Sequence, residues 1–124
     1  MGGNKVTHTL IEPGIIKMTV EADSFLDTED VEQMRQVNMG LSKGQRFSIL
    51  LDTRPGYFTM GPEALRMLSS NEYLEFRKAT AIVVGSLATR LAGNFFKSIN
   101  PSKSPTRLFN SEEEAVKWLR KFQG

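Results

Sequence analysis

Two largely apolar runs, Phe47 to Leu51 and Ala79 to Val84, each broken by a single hydroxyl residue, Ser48 and Thr80, most constrain what this chain can fold into. Each is short, rich in branched residues and without a polar face, so each reads as a strand covered on both sides. The first ends in Asp52 and is expected at the centre of a sheet; the second closes at Gly85.

Helical period fills the stretches around these strands. Thr28 reads as the N-cap of a helix with Glu29, Asp30 and Glu32 in its first turn, and Val31, Met34, Val37 and Leu41 recur along its apolar side. Gly44 offers that helix its left-handed stop. Thr53 to Gly61 reads as a loop punctuated by Pro55 and Gly56. Pro62 suits the first turn of a helix through Ala64, Leu65 and Leu68, Ser69-Ser70-Asn71 interrupts it, and Glu72 to Lys78 is expected to resume as a short helix. From Ser86 onward Leu87, Leu91, Phe95 and Ile99 recur every fourth residue, which predicts a helix with a broad apolar face.

Both ends carry local signatures. Thr7 to Ile11 and Ile15 to Ala22 flank the turn signal Glu12-Pro13-Gly14 and predict a hairpin. In its second strand Ile16, Met18, Val20 and Ala22 share one face and Lys17, Thr19 and Glu21 the other, so only one face is expected to be buried. Near the C-terminus, Thr106 to Phe109 reads as a strand and Ser111 with Glu114 as a capping box. The helix behind it presents Ala115, Trp118, Leu119 and Phe122 as its apolar face, with Lys117, Arg120 and Lys121 trailing to suit the macrodipole. After the hairpin, strands alternate with helices, and such crossovers join parallel neighbours. The predicted fold is α/β: a five-stranded mixed sheet, antiparallel at its first edge strand and parallel elsewhere, with four to five helices, in one domain over residues 1–124.

Composition removes several function classes. Cysteine is absent, which excludes disulfides, thiolate nucleophiles and zinc–thiolate sites and fits a reducing cytosol. No apolar run approaches a membrane span and no secretory signal follows Met1, so a cytoplasmic protein without stable membrane insertion is expected. Net charge is +2, with six basic and eight acidic side chains in residues 1–60 against ten and six in residues 61–124. That asymmetry is too diffuse for a phosphate-tracking groove, and no nucleic-acid partner is expected.

The candidate site residues form three groups. Asp52, Thr53 and Arg54 stand at the carboxyl end of the central strand, where open α/β sheets bind ligands, although Asp52 and Thr53 also suit bonds to loop amides with Arg54 in solvent. Tyr57, Phe58 and Met60 make an apolar cluster that either covers the core or offers a sticky patch to a partner, a dimer mate or an acyl chain. Arg90, Asn94 and Lys97, with Lys103 and Arg107, are candidate anion contacts set against the plainer reading of solvated faces. His8 is the single histidine, expected on an exposed edge strand, and makes neither a metal site nor a triad.

Read together, Ala79-Thr80-Ala81-Ile82-Val83-Val84-Gly85-Ser86, Arg90, Gly93-Asn94-Phe95-Phe96, Asn100-Pro101, Pro105-Thr106-Arg107-Leu108-Phe109, Glu113-Glu114-Ala115 and Trp118-Leu119 resemble the small STAS-type domains of the SpoIIAA-like group. The resemblance is to a branch of single-domain bacterial proteins of largely unassigned function. It implies the fold of the anti-sigma-factor antagonists, in which a loop after the central strand carries an Asp-Ser-Ser-Gly-like motif whose Ser a partner kinase phosphorylates. Here that neighbourhood reads Tyr57-Phe58-Thr59-Met60-Gly61-Pro62, so Thr59 alone can take the hydroxyl role.

No nucleophile with its base, metal cluster or phosphate-cradling glycine loop stands in a recognisable position. The expectation is a non-enzymatic cytoplasmic STAS-like binding or regulatory domain without a cofactor, working through a protein partner or as a homodimer. The alternative is a small apolar-ligand or lipid-binding protein of CRAL/TRIO-like character, a reading that rests on fold analogy and on the Tyr57 to Met60 cluster.

Overall fold

A computed structural model describes residues 5–56, 58–68, 70–85 and 104–123. The expected helix from Ser86 to Ile99, with Leu91, Arg90, Asn94 and Lys97, lies outside the described residues, as do Tyr57 and Lys103.

The hairpin forms from β1 (Val6–Glu12) and β2 (Ile15–Val20), antiparallel, with Leu10 opposite Ile16. Its turn needs Gly14, whose φ is +84° and whose Cβ, if present, would meet Gln123. Beyond a short β3 (Ser24–Leu26) comes α1 (Thr28–Leu41), and the chain returns as β4 (Phe47–Asp52), parallel to β2. Next follow β5 (Phe58–Met60), α2 (Pro62–Leu68) and α3 (Asn71–Leu74), which lead into β6 (Arg77–Val83) beside β4. The last elements are β7 (Thr106–Phe109), α4 (Glu112–Leu119) and a 3-10 turn at Arg120–Phe122. The main sheet runs β1-β2-β4-β6-β7, antiparallel only at β1–β2, and is the predicted five-stranded mixed sheet.

Both faces of the sheet are covered. On one face Ile16, Met18, Val20, Ile49, Leu51 and Ile82 pack with Met34 of α1 and with Leu26 and Phe58. On the other, Ile15, Leu50, Ala79, Ala81 and Val83 receive Ala115 and Leu119 of α4. The one-faced reading of β2 is therefore corrected: Ile15 lies fully buried on the face that alternation assigned to solvent, because α4 closes over that end of the strand.

Other expectations shift by a residue or an element. Asp27, not Thr28, caps α1, in a box with Asp30 whose two hydrogen bonds measure 3.0 and 2.9 Å. The buried positions of α1 are Val31, Met34 and Asn38, while Val37 is exposed. Only the first part of Glu72 to Lys78 is helical: the short helix α3 stops at Leu74 and β6 begins at Arg77, drawn into the sheet by pairing with Phe47. The expected Thr53 to Gly61 loop contains β5, which pairs parallel with β3. Trp118 is half-buried rather than central, packed between Phe109, tilted to it at 49°, and Phe122, edge-to-face at 69°, at centroid distances of 5.6 and 4.9 Å.

Candidate functional site

The carboxyl ends of the parallel strands carry a charged cluster. Alternation along β4 turns Asp52 to the same face as Leu50, and parallel pairing with β2 sets Lys17 of that strand on this face too. Arg54 follows Asp52 by two residues and folds back on it as a fork: Nε donates to Oδ1 at 2.8 Å, Nη2 to Oδ2 at 2.8 Å, and the Arg54 backbone N–H to Oδ1 at 3.0 Å. Glu112, in the first turn of α4, closes the group by accepting from Arg54 Nη2 at 2.8 Å and from Lys17 Nζ at 2.9 Å. Lys17 Nζ is also 3.9 Å from Asp52 Oδ2. Thr53 does separate work, its Oγ1 and N–H both donating to Val83 O at 2.8 and 2.9 Å to tie the end of β4 to β6.

Two cations and two carboxylates compensate one another here. Burial works against ionisation of Asp52, but the Arg54 hydrogen bonds and charge, with Lys17, outweigh it and hold the carboxyl below its ordinary value. Glu112 is lowered as well, first by its hydrogen bond to Lys17 and then by Arg54, against a smaller burial cost. Arg54 binds its proton more tightly than usual, chiefly through Asp52. The arrangement joins β2, β4 and α4 and keeps both carboxylates charged and engaged near neutral pH. Asp52 thus does bond a loop amide, while Arg54, expected in solvent, is tied down. Lys17 and Glu112 were not singled out from the sequence, since neither differs in type from the other surface charges on its element.

Thr59 is exposed in the middle of β5, opposite Phe25 of β3. Phe25 is 53 % exposed, and its ring passes within 3.4 Å of where a Cβ at Gly61 would stand. Phe58 points the other way and is buried in the core, so of the two readings of its cluster it takes the one that covers the core, as the strand period directs. Met60 is half-buried against the same core. Arg107 lies over the Phe109 ring, 5.2 Å from its centroid.

His8 lies on the edge strand β1, but its ring is half-buried rather than exposed. Its Nδ1 is 2.8 Å from Oδ1 of the buried Asn38, an acceptor only, so Nδ1 carries the hydrogen and donates. Burial lowers the His8 pKa, and the Asn38 bond partly offsets this. Among the described residues no group of three or more His, Asp or Glu side chains is placed to hold a metal ion, and no helix is long and apolar enough to cross a membrane.

Comparison with known proteins gives a family and a fold. Residues 9–123 match the model of a domain of unknown function, DUF7793. No curated protein matches the sequence. Among solved structures, an uncharacterized DUF3478-family protein with a SpoIIAA-like fold from Shewanella loihica PV-4 is similar at 17 % identity and TM-score 0.57, over 92 % of this chain and 90 % of that one. The Bacillus cell fate determinant SpoIIAA in its phosphorylated form is similar at 19 % identity and TM-score 0.56, over 93 % and 99 %. The anti-sigma factor antagonist SpoIIAA in its unphosphorylated form is similar at 16 % identity and TM-score 0.52, over 93 % and 97 %. At these identities the likeness shows a shared SpoIIAA-like fold.

Proposed function

The chain belongs to the DUF7793 family, and from its SpoIIAA-like fold we propose that it is a non-enzymatic, cytoplasmic STAS-like binding or regulatory domain whose partner is a protein. The observation that carries the reading is the exposed Phe25 ring beside the exposed Thr59 on the β3–β5 ribbon. A half-exposed aromatic side chain presents apolar area that prefers to leave water, and aromatics of this kind anchor interfaces more often than most residues. The similar folds include an anti-sigma factor antagonist, seen phosphorylated and unphosphorylated. The reading puts the regulatory surface of this chain on the ribbon, with the exposed Thr59 as its switch position. The compensated ion pairs at Asp52, Arg54, Lys17 and Glu112 support a scaffold rather than a catalyst, because neither carboxylate is free to exchange a proton near neutral pH.

Native mass spectrometry of the protein purified from its own host tests this. We expect a stoichiometric protein partner that the Phe25→Ser variant fails to retain, while unfolding stability stays within about 0.5 kcal/mol of the wild type, as is usual at an exposed position. A partner held equally by the variant sinks the ribbon as the contact. Wild-type protein that emerges with no protein partner and no second copy of itself sinks the binding function.

The same reading includes a homodimer through the free edge of β1. Among the described residues that strand is paired on one side only, by β2, and its Leu10 is 44 % exposed. An unpaired edge carrying an apolar side chain invites a second strand.

A further inference from the structure

Arg77 is the first residue of β6 and the one cation buried in the described core, 8 % exposed. Its guanidinium sits between two rings, with Cζ 5.7 Å from the Phe47 centroid and 5.3 Å from the Tyr73 centroid. Nη1 donates to Thr80 Oγ1 at 2.8 Å. Nε is fully buried and has no acceptor. No carboxylate among the described residues offsets the charge: burial lowers the proton affinity of this group, and the Tyr73 phenol is what acts against it. An Arg nevertheless stays protonated in proteins, so the site holds an uncompensated positive charge with an idle donor.

That charge lines a cleft. A cavity of about 30 Å³ opens where the sheet face meets α1, α2 and α3, and its polar lining is Arg77, Thr80 and Tyr73. The rest is apolar, with Met18, Leu26 and Met34 among the side chains that face the space. A water could accept from Nε but would leave the charge unbalanced in a poorly polarisable surround. A bare inorganic anion would balance it but would set the remainder of its surface against hydrocarbon. A molecule with a carboxylate at one end and a few methylenes at the other satisfies both.

We infer that this cleft binds a short-chain monocarboxylate, its carboxylate received by Arg77 and its alkyl chain lying among Met18, Leu26 and Met34. Arg is the side chain best matched to a planar carboxylate, and its Nε edge is the part still idle here. The preformed space accommodates only a few heavy atoms, since one water already needs roughly 10–15 Å³ of such volume. That is room for the carboxylate end and little more, so each further carbon is accommodated by movement of the thioether side chains of Met18 and Met34, the groups able to make room. The cleft lies on the core side of the β3–β5 ribbon, so it is independent of the Phe25 surface and stands whether or not a protein partner is found.

The test uses the intact chain with acetate, propionate and butyrate as probes, and with chloride and 1-butanol as controls at matched ionic strength and pH. Butyrate is expected to move the Arg77 Nε–Hε resonance in a saturable way and to raise the unfolding temperature, with affinity rising from acetate to butyrate; chloride and butanol leave both unchanged. Arg77→Met is expected to weaken butyrate binding by roughly tenfold or more, the usual scale for a hydrogen bond to a charged group. Met34→Phe, which fills the apolar end and keeps the guanidinium, is expected to admit acetate and exclude butyrate. The inference is overturned if chloride moves the resonance as butyrate does, if no carboxylate moves it, or if stabilisation by butyrate survives Arg77→Met. Where Arg77→Met does not fold, the wild-type resonance with its chloride and butanol controls decides.

Discussion

At Arg77 a guanidinium without a counter-charge stands between the rings of Phe47 and Tyr73, and opposing effects set its energetic worth. Ring contacts with a desolvated cation contribute about 2 kcal/mol, whereas replacing buried charge by apolar side chains of similar volume is often neutral or stabilising by about 1–4 kcal/mol. In the absence of added carboxylate, Arg77→Met is accordingly expected to unfold at the wild-type denaturant midpoint or above it. Arg77→Ala, which also leaves a void, is expected to lose about 2–3 kcal/mol. A methionine variant as weak as the alanine variant would show that the ring contacts outweigh the desolvation. His8 supplies a second test at this scale. Its folded-state pKa lies below its ordinary 6.5, so the unfolded chain binds more protons than the folded one in the interval between the two values. The stability it supports is complete above pH 6.5 and declines as pH falls below it through the folded-state pKa. Chemical denaturation from pH 7.5 to 5 should show that decline in the wild type and a flatter profile in His8→Gln; equal slopes would remove His8 as the cause.

At the scale of elements, the ends of helices and their buried faces behave differently. The Ser111 side chain accepts from the Glu114 backbone N–H at 3.3 Å, and the first turn of α4 carries Glu112, Glu113 and Glu114 towards the positive end of the helix dipole. Ser111→Ala should cost about 1 kcal/mol, the usual loss for a helix cap. Leu119, fully buried between α4 and the sheet, is expected to lose about 2–5 kcal/mol as Leu119→Ala, measured by urea unfolding. A loss near half a kcal/mol would contradict the placement of α4 against β4 and β6. On α1 the buried face turned from Val37 to Asn38, because Asn38 has partners that Val37 lacks: His8 on β1 and Met18 Sδ at 3.5 Å on β2. A buried amide satisfied across two strands was not visible from helical periodicity, which counts apolar residues alone.

For the whole molecule, the order of strands decides which edges are free. β1 ends the sheet on one side, so the homodimer proposed above is expected to dissociate when its edge is charged, as in Leu10→Lys, with the change read by sedimentation equilibrium. A wild type monomeric at high micromolar concentration, or a dimer untouched by the lysine, would overturn that contact. The five strands of the main sheet, the helices α1, α2 and α4, the antiparallel hairpin, the parallel remainder and the α4 cap were legible in the sequence, because apolar runs, turn residues and capping boxes act through neighbours a few positions apart, whereas the short β3 and β5 were not. So was the position of Asp52 and Arg54 where a central parallel strand ends. Tertiary structure alone decided that Lys17 and Glu112, 95 residues apart in sequence, complete their ion-pair cluster, and that Phe58 turns inward while Phe25 stays in water. It alone made Arg77, which pattern assigned to a short helix, the buried end of an apolar cleft. Those outcomes depend on which strands become neighbours and which face each helix covers, and the free energies involved come from contacts between segments that local periodicity does not bring together.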